Sequence, residues 1–272
     1  MSKMAASRIS LLLTMAGIFV FLMNFSVSAQ EGEEKNRIEI NLTYEHLTPN
    51  EIYGDWKNLS LAYYRTPKSD FSYFLQAEAF SRKEGDGVLG VIGAYKDWME
   101  YLYTYSSVSA GSNSEYLPMF RGDHDFNLKL GEDRNIVWIT GITYIKYFDV
   151  HKDLILSTGL ALYYPADWIW MYRIFINDSD PGNMISYSHL FSVGYGREKW
   201  QWTYLNISFG KQAYLATYLQ SPEEVNRDTF RIALKHRLWL NKDYGIMAEA
   251  SYLKLDEEYE KYGFSLGFFK EF

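Results

Sequence analysis

The chain has 272 residues, no cysteine and a formal net charge of −7. The lack of cysteine excludes a disulfide framework, a lipid-modified cysteine at a leader junction and thiolate metal sites, while the acidic balance argues against a nucleic-acid partner. Aromatic residues make up 18% of the chain, more than a soluble core needs and in keeping with rings that girdle a membrane protein at both interfaces.

The first predicted element is a secretory leader over residues 1–29. Lys3 and Arg8 form a basic start, Ile9 to Phe25 an apolar run, and Val27-Ser28-Ala29 a small-residue cleavage site before Gln30. The rival reading of the same run is a retained membrane anchor; the small-residue site and the acidic stretch from Glu31 to Glu34 favour cleavage. The leader carries two cations and no acid, so its loss takes the net charge from −7 to −9. A short periplasmic segment, 30–36, then precedes a barrel domain, 37–272. No apolar stretch of about 18 residues remains to make a transmembrane helix.

From there the chain reads as strands to its end, with apolar residues at every second position and turn residues between the runs. Fourteen strands are predicted, at 37–46, 56–65, 70–82, 87–97, 99–109, 121–131, 135–149, 152–164, 168–177, 183–196, 200–212, 228–240, 244–255 and 261–272. Twelve or sixteen also fit the pattern. Short connections at 66–69, 96–98, 131–134, 165–167, 197–199 and 241–243 alternate with mostly longer ones at 47–55, 82–87, 109–121, 177–183, 213–227 and 255–261. The short link at Val150-His151 breaks that alternation. The fold class expected is all-β: one antiparallel up-and-down transmembrane barrel, with tight periplasmic turns and longer outer loops.

Several strands divide cleanly into two faces. Ile38, Ile40, Leu42 and Tyr44 alternate with Glu39, Asn41, Thr43 and Glu45; Phe230, Ile232, Leu234 and Leu238 alternate with Arg231, Ala233, Lys235 and Arg237. An oily face suits lipid, which cannot solvate a charge, and the other face suits a wet or plugged lumen. Residues 135–149 carry apolar side chains on both faces and give no clear orientation. Trp98, Trp138, Trp168, Trp170, Trp200, Trp202 and Trp239 all lie near short connections, as a girdle at one interface would place them, and only Trp56 lies near a long one.

The last strand carries Phe264, Leu266, Phe268 and Phe272 at alternate positions. That terminal pattern resembles the signal read by the outer-membrane assembly machinery, which is an expected partner together with outer-membrane lipid. Lys270 departs from the pattern, but its stem can lie along lipid while its amine reaches headgroups. The segment Thr140-Gly141-Ile142-Thr143-Tyr144-Ile145-Lys146-Tyr147-Phe148-Asp149 resembles the T-G-Y-x-Y-x-K-Y-x-D segment of the YaiO family of outer-membrane β-barrels, and Asn183-Met184-Ile185-Ser186 resembles its S-N-M-I-S segment. The resemblance implies an outer-membrane location. It implies no activity, substrate or catalytic residue.

The candidate lumen residues are Glu39, Glu45, Gln76, Glu78, Asp125, Lys129, Arg231, Lys235, Arg237 and Glu249. Because the first strand must meet the last, these charges are expected to line one cavity, either pairing internally as a plug or setting which solutes cross. Both signs occur, so no ion preference follows. Nothing suggests a cofactor, and the five histidines lack metal-ligand spacing. The expected function is non-enzymatic, a narrow pore or a structural or export-accessory component of the cell envelope, and an outer-membrane enzyme acting on lipid or envelope glycan is an alternative. Ser188 and His189 are neighbours on a strand and so point to opposite faces, while the run Asp123-His124-Asp125 beside a long outer loop has the chemistry to help bind a cation or act with a nearby serine, or is simply a solvated strand end. A third alternative is a surface-binding protein using the Tyr-containing outer loops 109–121 and 213–227. A small solute or an envelope glycan is the ligand class these readings share.

Overall fold

A computed structural model describes residues 35–112, 114, 116–164, 167–181, 184–211 and 228–272. The predicted leader, the predicted loop 213–227 and part of the turn at 165–167 lie outside the described residues. The barrel unit is Lys35–Phe272. In chain order its strands are β1 (Lys35–Thr48), β2 (Asp55–Lys68), β3 (Phe71–Arg82), β4 (Gly85–Met99), β5 (Leu102–Gly111), β6 (Phe120–Leu130) and β7 (Ile136–Lys146). They continue as β8 (Lys152–Tyr164), β9 (Trp168–Asp180), β10 (Met184–Arg197), β11 (Gln201–Gly210), β12 (Thr229–Trp239), β13 (Tyr244–Leu255) and β14 (Tyr259–Glu271).

Each strand pairs antiparallel with its neighbours in sequence, and β1 pairs with β14 from Arg37↔Glu271 to Thr48↔Glu260, closing the sheet. Asn36 and Phe272 complete the seam by exchanging backbone hydrogen bonds of 3.0 and 2.9 Å. Closure leaves no edge strand, so every ladder N–H and C=O is satisfied within the wall; this is the condition for crossing hydrocarbon with strands.

The alternation rule sets which face meets lipid. Leu42, Leu266, Phe264, Leu154, Leu156 and Leu160 are exposed on the outside, while Glu39, Gln76, Ser157 and Lys261 are buried within. The four residues of the terminal pattern, Phe264, Leu266, Phe268 and Phe272, all point outward.

Three expectations need correction. First, β4, β9 and β14 run further toward the loop end than predicted, so β3 and β4 are joined by two residues and β13 and β14 by three. The connection before β8 is five residues, 147–151, not the short link expected at Val150-His151. There the Asp149 carboxylate accepts the His151 backbone N–H at 2.9 Å, an aspartate turn that ends β7 early. A one-turn helix, α1 (Asn50–Tyr53), follows Pro49 and closes with the Gly54 N–H donating to the Asn50 carbonyl at 2.8 Å. Gly54 sits at φ 69°, a conformation that costs a Cβ-free residue nothing.

Second, the tryptophan girdle is smaller than predicted. Trp98, Trp138, Trp168, Trp170 and Trp200 are exposed on the outer wall, but Trp239 is buried inside. Trp202 packs against it with Met247 and Phe269. The indole N–H of Trp98 donates to Thr104 Oγ1 at 2.9 Å and that of Trp138 to Thr158 Oγ1 at 3.0 Å, which keeps both rings bonded on the membrane side.

Third, the interior is not uniformly polar. β7 turns Val137, Ile139 and Ile145 inward, where they join Ile155, Ala161, Phe175 and Leu190 in two apolar clusters. The barrel therefore has its own core along one side.

Candidate functional site

The lumen is divided lengthwise. On the side of β5–β9 it is filled. Arg173 reaches along the inner wall, over β8 and β7, to Asp125 with two hydrogen bonds of 2.9 Å and donates to Ser157 Oγ at 2.6 Å. Arg121 clasps Asp123 at 2.7 and 2.8 Å, and Thr143 donates to the same carboxylate at 2.7 Å. Charges this well buried persist only when paired, because unpaired burial costs several kcal/mol. The apolar clusters lie on the same side as these pairs.

On the side of β1–β3 and β9–β14 the structure holds a cavity of about 520 Å³. Of the ten predicted lumen residues, eight line it: Glu39, Glu45, Gln76, Glu78, Arg231, Lys235, Arg237 and Glu249. Asp125 and Lys129 do not. Asp125 is committed to Arg173, and Lys129 sits at the rim of the turn end, 3.5 Å from Asp97 and over the Tyr103 ring. The expectation that all these charges share one cavity fails at those two positions, because the apolar residues of β7 and β8 come between.

Each wall of the cavity has its own chemistry. β12 presents Arg231, Lys235 and Arg237 in a row. Glu249 pairs with Arg231 at 3.3 Å, while Glu39 takes both Arg237 and, at 2.7 Å, Arg37. Lys235, between the two arginines, has no direct ion pair or hydrogen bond among the described residues. On the opposing β2–β3 wall Glu78 is buried and held by two amides: Asn58 donates at 2.9 Å and Gln76 at 2.6 Å. No cation pairs with Glu78 among the described residues. Among the described residues, seven cationic side chains and five carboxylates line the cavity. An acidic protein thus encloses a lumen with a cationic excess, which sign counting along the sequence did not reveal.

Both ends of the cavity are narrowed by aromatic side chains. At the turn end Trp239, Met247 and Phe269 pack with Trp202, and the Arg237 guanidinium lies 5.0 Å from the Phe269 ring centre. At the loop end Leu47, Trp56, Leu253, Leu255 and Tyr259 form a second cluster. There Arg82 lies 3.7 Å over the Trp56 ring and 4.1 Å over Tyr116, and Lys261 lies 4.8 Å over Trp56 while pairing with Glu45 at 3.1 Å. Sequence reasoning missed Arg37, Trp56, Arg82, Trp202 and Tyr204 as lumen residues. Arg37 shares its face with Glu39 and was legible in principle; Trp202 was assigned to the girdle by its nearness to a turn.

The histidines separate from the lumen. His124, His189 and His236 all point outward, and each meets a hydroxyl on the adjacent strand: Ser106 at 2.7 Å, Tyr172 at 2.8 Å and Thr203 at 2.9 Å. Repetition of one arrangement at three places marks it as the way this wall satisfies an imidazole facing lipid. Asp123 and Asp125 point inward to Arg121 and Arg173, so the Asp-His-Asp run is split across the wall and neither carboxylate orients His124. Ser188 is buried inside while His189 is outside. Among the described residues no group of three or more His, Asp or Glu is placed to hold a metal.

Solved structures share the fold at low identity. A structure described as the CymD monoaromatic hydrocarbon channel matches with a TM-score of 0.56 at 9% identity, over 90% of this chain and 89% of that one. The outer-membrane protein Omp33 of Acinetobacter baumannii matches with 0.54 at 11%, over 86% and 98%. A structure described as a bacterial polysaccharide outer membrane secretin matches with 0.53 at 10%, over 90% and 99%. These likenesses concern architecture alone. No curated protein sequence matches the chain. The family model of the YaiO membrane beta barrel domain matches residues 35–215, which spans β1 to β11 and stops short of the cationic row on β12. The chain belongs to the YaiO family, and it is an outer-membrane β-barrel of porin-like architecture.

Proposed function

We propose that this barrel is a narrow, non-catalytic solute pore, closed down at both ends in its resting form. The observation that carries the reading is the 520 Å³ charged cavity inside a lumen whose other side is packed solid. A purely structural or export-accessory barrel has no need for a chamber lined by charges, each of which is costly to keep away from bulk water. The constrictions are made of side chains with rotatable bonds, so opening requires rotamer changes and leaves the wall intact. The cationic excess favours anions over cations of the same size.

An enzyme is disfavoured by the outward histidines, which are bonded to hydroxyls without a carboxylate behind them. Recognition through the outer loops finds less support at 112–119, where Leu117 is fully buried against Phe80 and Leu89. The test is planar-bilayer recording on barrel purified from outer membranes. Small, discrete, anion-preferring steps are expected. Folded barrel that inserts and never conducts would refute the pore.

A further inference from the structure

The cavity holds three polar groups that the fold itself leaves unused. Lys235 is the cation that Glu39 and Glu249 do not take. The Gln76 carbonyl oxygen is buried on the opposing wall and has no hydrogen-bond partner, although its amide nitrogen is engaged by Glu78. The Trp56 indole N–H, also buried, has none either. Since an unpaired buried polar atom costs about 1–3 kcal/mol, such groups persist where something else satisfies them. Here Lys235, Gln76 and Trp56 all line one cavity of a size that suits small-molecule sites.

Their chemistry is directional. The β12 wall offers an ammonium with three donors and no competing carboxylate in contact. The β3 wall offers only acceptors: the Gln76 carbonyl and the Glu78 carboxylate. A carboxylate is drawn to the first wall and repelled from the second, whereas hydroxyl groups donate to the second. Tyr204 lies beside Lys235 in the sheet register and stacks on Trp202 at 5.5 Å between ring centres, which puts an apolar aromatic surface next to the cation. Such a surface receives the C–H face of a saturated ring.

We propose that the cavity is a binding site for an acidic monosaccharide, its carboxylate on Lys235 and its hydroxyls on Gln76 and Glu78. The site deepens the pore reading, since it rests on solute entering the chamber, and it assigns to Lys235 and Gln76 the selection among anions.

The test is isothermal titration calorimetry on detergent-solubilised full-length barrel, with D-glucuronate, glucose, acetate and glycine as separate probes. Saturable binding of glucuronate is expected, with glucose, acetate and glycine each weaker by about tenfold or more, the worth of one charge-assisted hydrogen bond. Lys235→Met should weaken glucuronate by about tenfold and leave the weak glucose response unchanged. Gln76→Met should weaken glucuronate and spare acetate. Lys254→Met, at the loop end and paired with Asp256, is the control and should change nothing. Heat-modified gel migration establishes that each variant is folded, and Lys235→Gln replaces Lys235→Met if that variant misfolds.

The inference is overturned if folded barrel takes up no glucuronate, if glucose or glycine binds as tightly, or if both Lys235 variants bind as the parent does. Conductance without glucuronate binding sinks this site and leaves the pore standing. Glucuronate binding without conductance does the reverse.

Discussion

Asp123, His124 and Asp125 are consecutive, yet they serve three unrelated purposes. The two carboxylates face in, each to its own arginine, and the imidazole faces out to Ser106. Period-two geometry makes this unavoidable, and it was legible from the sequence once a strand was assigned. The partner was not legible: Arg173 is 48 residues from Asp125 and reaches it over two intervening strands. Gly141 is part of the same arrangement, since a Cβ there would collide with the Asp125 carboxylate and crowd the Arg173 guanidinium and Ser157 hydroxyl. Asp125→Asn leaves Arg173 half-paired in the packed side of the barrel. It should cost about 3–5 kcal/mol in denaturant unfolding from lipid vesicles, the usual loss when one member of a buried pair is removed. A change within error would show that the pair contributes nothing net.

A second prediction at this scale concerns the turn outside the membrane at Asp149. The His151 backbone N–H, and after it the His151 ring, hold the Asp149 carboxyl below the ordinary aspartate range. A carboxyl lowered in the folded state contributes stability that is complete above its unfolded pKa and lost as the pH falls through the folded value. The protection factor of the His151 backbone amide, its exchange rate relative to the intrinsic rate at the same pH, should therefore fall on acidification below the ordinary aspartate range, and Asp149→Asn should remove most of that pH dependence.

Among elements, β7 and β12 show where patterning suffices and where it does not. β12 alternates cleanly, and its inward row of Arg231, Lys235 and Arg237 stands where alternation put it. β7 is apolar on both faces because it has lipid outside and the Ile155 and Phe175 cluster inside. No single-strand reading orients such a segment, since both of its environments exclude water. The same ambiguity misplaced Trp202 and Trp239: an indole near a turn suits an interface, and only its parity within the closed sheet decides whether it faces out or in. Trp239→Ala removes the largest ring of the constriction at the turn end. It should raise single-channel conductance several-fold over the parent in planar bilayers, where an unchanged conductance would place the narrowest point elsewhere.

The whole molecule obeys one constraint: along the membrane-spanning part of the strands the outward positions must be apolar, or carry polar groups that bond one another as His124, His189 and His236 do. Leu266 lies midway along β14, on the seam with β1, and is more than half exposed on the outer face. Leu266→Arg should cost about 2–4 kcal/mol, the penalty measured for a cation near the bilayer midplane, and lower the yield of heat-modifiable barrel from membranes. Arginine at Gly263, inside the same strand, would instead test crowding against Ser251 and Glu45. A neutral outcome at Leu266 would mean that this face is covered by protein.

The sequence by itself determined the all-β barrel, the approximate limits of most strands, the outward row of the last strand and the parity of charged residues on strands that alternate cleanly. Each of these depends on neighbours two positions apart or on turn chemistry, which are local. Only the tertiary structure decided that one side of the lumen holds apolar clusters and the other a chamber, which cations meet a carboxylate and that Lys235 does not, and that Trp56, Trp202 and Trp239 close the ends from within. Those features arise between strands that are brought side by side, or face to face, by closing the cylinder. Parity along a chain carries the direction of a side chain and nothing about what stands opposite it.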